Sequence, residues 1–150
     1  MVSTKASAEV LSNLRTILRN IRLCKSDIDR YNPDALILVD YPGFNLKIAA
    51  YAHQKGYKVI YYISPQIWAW KQSRVYAIKK NVDKMMVILP FEKEFYKRFD
   101  YEADFVGHPL LDAIDNYKKK HDGNQFRNEF NLGEQPIVAL LSGSRKQEIS

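Results

Sequence analysis

Apolar residues recur every three or four positions between Ala6 and Tyr31, a spacing that is typical of an amphipathic helix. The other side of this predicted helix is basic. It carries Arg15, Arg19, Arg22 and Lys25. Asn32-Pro33 ends the pattern, because a residue that precedes proline disfavours the helical conformation. The sequence therefore begins with one long helix that has an apolar side and a cationic side.

Short apolar runs follow, and each ends at a polar or proline-containing stop. The predicted strands are ALILV (35–39), YKVIYYI (57–63), DKMMVIL (83–89) and ADFVG (103–107). Helical segments separate them at Asn45–Gln54, Ser73–Asn81 and Phe91–Phe99. This alternation predicts an α/β fold, with a doubly wound, parallel, Rossmann-like sheet. Because the carboxyl ends of parallel strands share one edge of a sheet, the four stops are predicted to converge on one crevice.

The composition changes after Pro109. Residues 110–134 are polar and charged, which predicts a linker that contains an exposed helix. Residues 135–150 then begin a new apolar pattern, with a predicted strand at Ile137–Leu141 and a glycine turn at Ser142-Gly143-Ser144. We therefore expect residues 1–109 to form one domain and residues 135–150 to start another.

Charge and composition narrow the class of protein. The net charge of +6 favours partners that carry phosphate, or it is a solvated basic surface. Cys24 is the single cysteine and the three histidines are far apart, so neither a disulfide nor a recognisable metal-ligand pattern is present. No apolar run reaches the roughly 18 residues that a membrane span needs, and no secretory signal pattern is seen. The sequence predicts a cytoplasmic protein.

Two stops carry candidate chemistry. Asp40 ends a strand and is either a general base toward a hydroxyl or a helix cap and turn residue. The segment Ser64–Trp70 contains both tryptophans of the chain, and it is either a platform for sugar or lipid or a part of the core.

Most of the other residues with candidate roles have two interpretations each. Lys71 and Arg74 either hold an anion or are surface charges, and the Gly143-Ser144-Arg145 turn either cradles phosphate or is an ordinary turn. His108 is either a donor to phosphate or to a leaving group, or a hydrogen-bonded turn residue. Glu92 is predicted to cap the helix that follows it.

Five motifs in order, "DYPGFN", "SPQIWAWK", "LPFEKEFY", "FVGHPLLD" and "LSGSRKQEI", resemble the lipid-A-disaccharide synthase family. The segment "EVLSNLRTILRNI" is similar to the membrane-proximal helix of that family. The resemblance implies an inverting glycosyltransferase with two Rossmann-like lobes, the GT-B architecture. Such an enzyme joins UDP-2,3-diacylglucosamine to 2,3-diacylglucosamine 1-phosphate and gives the β-1,6-linked lipid A disaccharide and UDP. It needs no metal or other cofactor, and it works peripherally at the inner face of the cytoplasmic membrane in Gram-negative bacteria.

The resemblance also implies roles for particular positions. Asp40 matches the general base, and Arg145 matches an arginine that holds the donor diphosphate. The implied substrate-binding positions are Asn45, Ser64, Gln66, Trp68, Trp70, Lys71, Arg74, His108, Gly143, Ser144 and Arg145. The implied membrane-facing positions are Val10, Leu11, Leu14, Ile17, Leu18 and Ile21. Nucleic acid is not an expected partner.

The family resemblance covers only part of such an enzyme. The chain lacks the first strand and glycine-rich loop of the family and most of its second lobe, so it is expected to be weakly active or inactive alone. On this interpretation, residues 1–109 are a partial acceptor lobe and residues 135–150 begin the nucleotide-sugar-binding lobe. Two alternatives stay open: another GT-B transferase that acts on a lipid-linked sugar, and a non-catalytic module that binds membrane or nucleotide.

Overall fold

The four apolar runs form the strands of one sheet. The computed structural model describes residues 3–121, 123–141 and 143, and the side chains of residues 14–121, 124–141 and 143. The strands are β1 (Ala35–Val39), β2 (Lys58–Tyr62), β3 (Lys84–Val87) and β4 (Ala103–Phe105). All neighbours pair in parallel in the order β1-β2-β3-β4. The predicted parallel α/β arrangement is confirmed, with three of the four strands shorter than the sequence suggested.

Helices connect the strands. They are α1 (Ser3–Tyr31), α2 (Pro42–Gln54), α3 (Ile67–Trp70), α4 (Arg74–Asn81), α5 (Pro90–Lys97), α6 (Pro109–Lys120) and α7 (Gly123–Glu129). Pro42 and Pro90 stand in the first turns of their helices, where the missing proline N–H costs no hydrogen bond. Helix α2 consequently begins three residues before the predicted start at Asn45. The four-residue helix α3 was not predicted.

The core lies between one face of the sheet and the helices. Alternate strand residues point into it, because successive side chains of a strand face opposite sides. The buried strand residues are Leu38, Val59, Tyr61, Met85, Val87 and Ala103. The helices contribute Ile21, Ile28, Ile48, Ala49, Ala52, Ile67, Val75, Ile78, Phe95 and Tyr96. This packing fixes the strand ends relative to one another and therefore the loops that follow them.

The other face of the sheet is open among the described residues. Ile37 and Val39 are 63% and 51% exposed, although both are apolar. The strand order does not reverse, so right-handed crossovers place α2, α4 and α5 on a single face. In the described part of the chain, the connecting helices therefore cover one face of the sheet. The helices that a doubly wound fold would place on the other face stay a prediction. Apolar runs alone could not show this, because they do not reveal which face a helix covers.

The chain divides into two compact units between Pro109 and Leu110. The second unit contains most of α6 together with α7, and α6 has no buried residue. The predicted strand at Ile137–Leu141 was wrong, since residues 136–141 adopt no regular structure. A strand needs a neighbour for its backbone hydrogen bonds, and the described residues of this unit offer none. The assignment of residues 110–134 and 135–150 to a linker and a second lobe stays a prediction.

Candidate functional site

The loops after β1, β2 and β3 line one cavity of about 320 Å³ at the carboxyl edge of the sheet. Asp40 comes from the first loop and Ser64 and Gln66 from the second, while Trp70 and Glu92 come from α3 and α5, the helices that follow the second and third loops. The predicted convergence of strand ends is therefore seen for these three loops. Ligands of open α/β proteins bind at this edge, and the volume falls within the range of roughly 300–1,000 Å³ for ligand pockets. We call this cavity the edge pocket.

The backbone of Asp40 is held in a left-handed conformation, with φ of 46°. Its N–H donates to the Tyr62 carbonyl at 2.9 Å, and its carbonyl accepts hydrogen bonds from the Tyr61 hydroxyl at 2.6 Å and from Asn45 Nδ2 at 2.7 Å. All these bonds use the backbone, and the residue is exposed at the edge pocket. The network therefore holds Asp40 at the edge pocket and offsets the strain of a non-glycine residue at positive φ.

Asp40 is not the cap of the helix that follows. Tyr41 occupies the N-cap position of α2, and no side chain caps this helix end. The interpretation of Asp40 as a helix cap was therefore wrong, whereas its interpretations as a turn residue and as a general base stay open. Asn45 was expected to bind substrate, but its amide group donates to the carbonyl oxygens of Val39 and Asp40. Its observed contacts position the loop.

A buried polar cluster forms the floor of the edge pocket. Ser64 and Glu92 are the two buried polar residues in the described part of the chain, and both line this pocket. The Ser64 hydroxyl donates to the Pro65 carbonyl at 3.1 Å and shares a 2.7 Å hydrogen bond with the hydroxyl of Tyr96. Burial raises the pKa of Tyr96 to about 12, so this phenol stays neutral at physiological pH. The cluster ties the loop after β2 to helix α5.

Glu92 both caps helix α5 and lines the edge pocket. Its Oε2 accepts the backbone N–H of Leu89 at 3.0 Å, so the prediction that it caps α5 is confirmed. Burial raises the pKa of its carboxyl, and the hydrogen bond from the Leu89 N–H opposes that rise. Residues 90–92 were expected at this edge as one of the four stops, but Glu92 was not among the predicted substrate-binding residues. The "LPFE" motif at a strand end was the available signal.

Backbone strain at the pocket is not limited to Asp40. Ile63 lines the cavity with φ of 64°, a conformation that is a genuine outlier for a β-branched residue. Its N–H donates to the Met86 carbonyl at 3.1 Å, which continues the β2 to β3 pairing by one residue. Strained conformations of this kind persist only where the surrounding structure holds them, and they cluster at functional sites.

The two tryptophans face different cavities. Trp70 is 68% exposed and lines the edge pocket. Trp68 packs edge-on against Phe91, with ring centroids 5.0 Å apart, and lines a neighbouring cavity of about 430 Å³. Positions two apart in a helical turn point to different sides, and α3 supplies that turn. Both rings were expected to line the cleft at the sheet edge, and among the described residues only Trp70 does so.

Other predicted site residues lie away from the edge pocket or outside the described residues. His108 follows β4, is partly buried and is not part of the pocket lining. Gly143 has φ of 93°, a conformation that glycine adopts without strain, and it belongs to the second unit. Ser144 and Arg145 lie outside the described residues.

Helix α1 presents a narrower exposed apolar surface than expected. Ile21 is buried and Ile17 packs against the core, so the prediction that they face a membrane was wrong. Both lie on the stripe that contacts the rest of the unit. Leu14 and Leu18 are exposed, as are Arg15 and Arg22. The side chains of Val10 and Leu11 lie outside those described.

Two features of the described residues bear on partners. Within them, no group of three or more His, Cys, Asp or Glu side chains is arranged to hold a metal ion. None of the helices they form is both long enough and apolar enough to span a bilayer.

A parallel α/β sheet with a pocket at its carboxyl edge defines the class: a Rossmann-like lobe. The family model described as lipid-A-disaccharide synthetase matches residues 2–150. The chain belongs to this family.

Relatives agree with that assignment. Lipid-A-disaccharide synthase 1 of Legionella pneumophila (strain Paris) is 48% identical over 145 residues, which cover 94% of this chain and 36% of the relative. The lipid-A-disaccharide synthases of Coxiella burnetii (strain Dugway 5J108-111) and Syntrophus aciditrophicus are 43% and 44% identical over 143 residues. Each match covers 95% of this chain and 37% of the relative. The chain therefore spans little more than a third of the length of these relatives.

Proposed function

We propose that this chain forms the acceptor-binding part of a glycosyltransferase that makes the lipid A disaccharide. The donor is UDP-2,3-diacylglucosamine, and the acceptor is 2,3-diacylglucosamine 1-phosphate. The observation that carries the proposal is the presentation of the Asp40 carboxylate at the edge pocket by three backbone hydrogen bonds. Membership of the lipid-A-disaccharide synthetase family supports the choice of reaction.

The chemistry is a single displacement. The Asp40 carboxylate accepts the proton of the acceptor 6-hydroxyl while that oxygen bonds to the anomeric carbon of the donor. The bond from that carbon to the diphosphate oxygen breaks, and UDP leaves with the electron pair. One displacement inverts the anomeric centre, so one base suffices. Negative charge develops on the diphosphate, and Arg145 with Gly143 and Ser144 is proposed to stabilise it.

The proposed site of work is the cytoplasmic surface of the membrane. Leu14 and Leu18 are exposed apolar side chains on α1, and Arg15 and Arg22 on the same helix supply charge for anionic headgroups. An amphipathic helix of this kind lies in the membrane interface without crossing it. Diacylated substrates would then reach the pocket without leaving the lipid surface.

A hybrid chain tests the function directly. In it, residues 1–150 replace the matched segment of Lipid-A-disaccharide synthase 1 of Legionella pneumophila. We expect the purified hybrid to form disaccharide and UDP from the two substrates, as measured by mass spectrometry and UDP release. A hybrid that has the unfolding midpoint of the parent enzyme but forms no disaccharide would contradict the proposal.

A further inference from the structure

Two cations rest on an exposed indole beside the edge pocket. Lys71 Nζ lies 4.9 Å from the centroid of the Trp70 ring, and the guanidinium carbon of Arg74 lies 5.5 Å from it. Both distances fall within the range of about 6 Å for a cation–π contact. Both charges therefore contact the ring, while the Trp70 side chain stays 68% exposed.

These charges have no acidic partner among the described residues. The four ion pairs found there use Arg30, Lys55, Lys58 and Lys84, each with an aspartate. Lys71 and Arg74 take part in none of them. Positive charge without an acidic partner attracts anions, and both of these charges contact Trp70, a residue that lines the edge pocket.

The position of the indole connects these charges to the proposed reaction. Trp70 and Asp40 line the same cavity of about 320 Å³. A ligand that stacks on Trp70 can therefore extend to the carboxylate. An indole face suits the apolar side of a sugar ring, and ammonium and guanidinium groups suit phosphate oxygens.

We propose that Trp70, Lys71 and Arg74 form the subsite for a sugar phosphomonoester, the 1-phosphate end of the acceptor. This inference rests on the proposed function, which places the acceptor hydroxyl at Asp40. The cations are positioned by the ring before the ligand arrives, so little side-chain freedom is lost on binding. The opposite ends of one acceptor sugar would then contact Asp40 and the cation pair.

The test uses the 150-residue chain and the water-soluble probe glucosamine 1-phosphate. Binding is followed by the NMR signals of the two indole N–H groups, one each from Trp68 and Trp70. We expect the Trp70 signal to shift, with glucosamine binding at least about tenfold more weakly because it lacks the charge-assisted bonds. Inorganic phosphate, which lacks the sugar, is expected to bind more weakly as well. Equal binding of glucosamine and its 1-phosphate by the folded chain would overturn the subsite.

Variants separate the subsite from general surface charge. The Lys71→Ala/Arg74→Ala double variant is expected to lose about tenfold or more in affinity for glucosamine 1-phosphate. Lys80→Ala removes an exposed lysine of α4, the helix that begins at Arg74. Lys80 takes no part in the described contacts with Trp70, so this variant is expected to leave the affinity unchanged. Equal losses in both variants would overturn the proposal. So would an equal Trp70 shift with glycerol 1-phosphate, because the site would then recognise a soluble lipid headgroup as well as it recognises a sugar phosphate.

The same substitutions in the hybrid enzyme distinguish this subsite from the function itself. There we expect the double variant to raise the KM for the acceptor more than it lowers kcat. A hybrid that forms disaccharide equally well with and without the two cations overturns the subsite and leaves the proposed function standing. A hybrid without transfer activity, whose chain still binds glucosamine 1-phosphate through the cations, overturns the function alone.

Discussion

The hydroxyl of Tyr61 donates a 2.6 Å hydrogen bond to the backbone carbonyl oxygen of Asp40. Tyr61 is fully buried on β2, and Asp40 is exposed at the end of β1. Burial raises the pKa of the Tyr61 phenol, so this donor keeps its proton at any physiological pH. A side chain of the core therefore donates a hydrogen bond to the backbone of the proposed base.

Removal of the Tyr61 hydroxyl is expected to leave the backbone of Asp40 less firmly positioned. Tyr61→Phe should lower the free energy of unfolding by about 1 kcal/mol, the usual net value of a hydrogen bond of this kind. In the hybrid enzyme it should also lower kcat, because the carboxylate loses part of its positioning. Urea unfolding and steady-state rates measure the two effects. Tyr62→Phe, one residue along the same strand, is the matched control, and equal effects of both substitutions would refute the role of Tyr61.

The hydroxyls of Ser64 and Tyr96 are expected to be energetically coupled. Ser64→Ala leaves the buried Tyr96 hydroxyl without this 2.7 Å partner and should cost about 1–3 kcal/mol. Tyr96→Phe alone should also destabilise, and the double variant should cost less than the sum of the two. A double-mutant cycle by urea unfolding measures the difference. Pairing Ser64→Ala with Tyr76→Phe, at an exposed ring, should give additive losses. Additivity in the first pair would show that the two hydroxyls are not coupled.

Glu92 makes stability depend on pH. Burial raises the pKa of its carboxyl above the ordinary value of 4.5, so the folded state binds this proton more tightly than the unfolded state does. The resulting stabilisation is fully present below the unfolded pKa and is lost as pH rises through the folded pKa. Glu92→Gln keeps an acceptor for the Leu89 N–H but does not ionise.

The measurement for Glu92 is urea unfolding of both proteins between about pH 4 and about pH 8. We expect the free energy of unfolding of the wild type to fall relative to that of Glu92→Gln as pH rises. A difference that stays constant, or that grows in favour of the wild type, would show that burial does not raise this pKa.

Exposed leucines of α1 should decide membrane binding. Leu14→Asp with Leu18→Asp is expected to weaken co-sedimentation with phosphatidylglycerol vesicles by about tenfold or more, because two apolar side chains no longer enter the lipid. Leu23→Asp is the control, since Leu23 is also exposed but lies nine residues after Leu14, two and a half turns along the helix. Equal loss in the control would mean that no particular side of α1 contacts lipid.

The sequence predicted the strands and the edge at which their ends meet, because buried parallel strands are continuous apolar runs and their stops are polar. It did not predict the left-handed backbone at Asp40 and Ile63. Those conformations depend on tertiary hydrogen bonds, such as the one from Tyr61, that no local pattern encodes. The separate cavities of Trp68 and Trp70 were missed because a helical turn as short as α3 has too few residues to show a period.

The exposed sides of helix and sheet were equally hard to infer. Ile21 fits the apolar side of α1 as well as Leu14 does, and only packing in the core tells them apart. Likewise, Ile37 and Leu38 are equivalent in an apolar run, yet one is exposed and the other is buried. Hydrophobicity predicts which residues prefer burial, whereas the partners present in the structure decide which are buried.

The most direct measurement is the single-turnover rate of the hybrid enzyme with Asp40→Asn, together with its affinity for the acceptor. Asp100→Asn is the matched control, because Asp100 has a similar left-handed backbone, with φ of 52°, and lies outside the edge pocket. We expect Asp40→Asn to lower the rate by about 10²–10⁴ with little change in affinity, as loss of a general base does. We expect Asp100→Asn to match the parent. An Asp40→Asn hybrid that transfers sugar at the parental rate would contradict the assignment of Asp40 as the base.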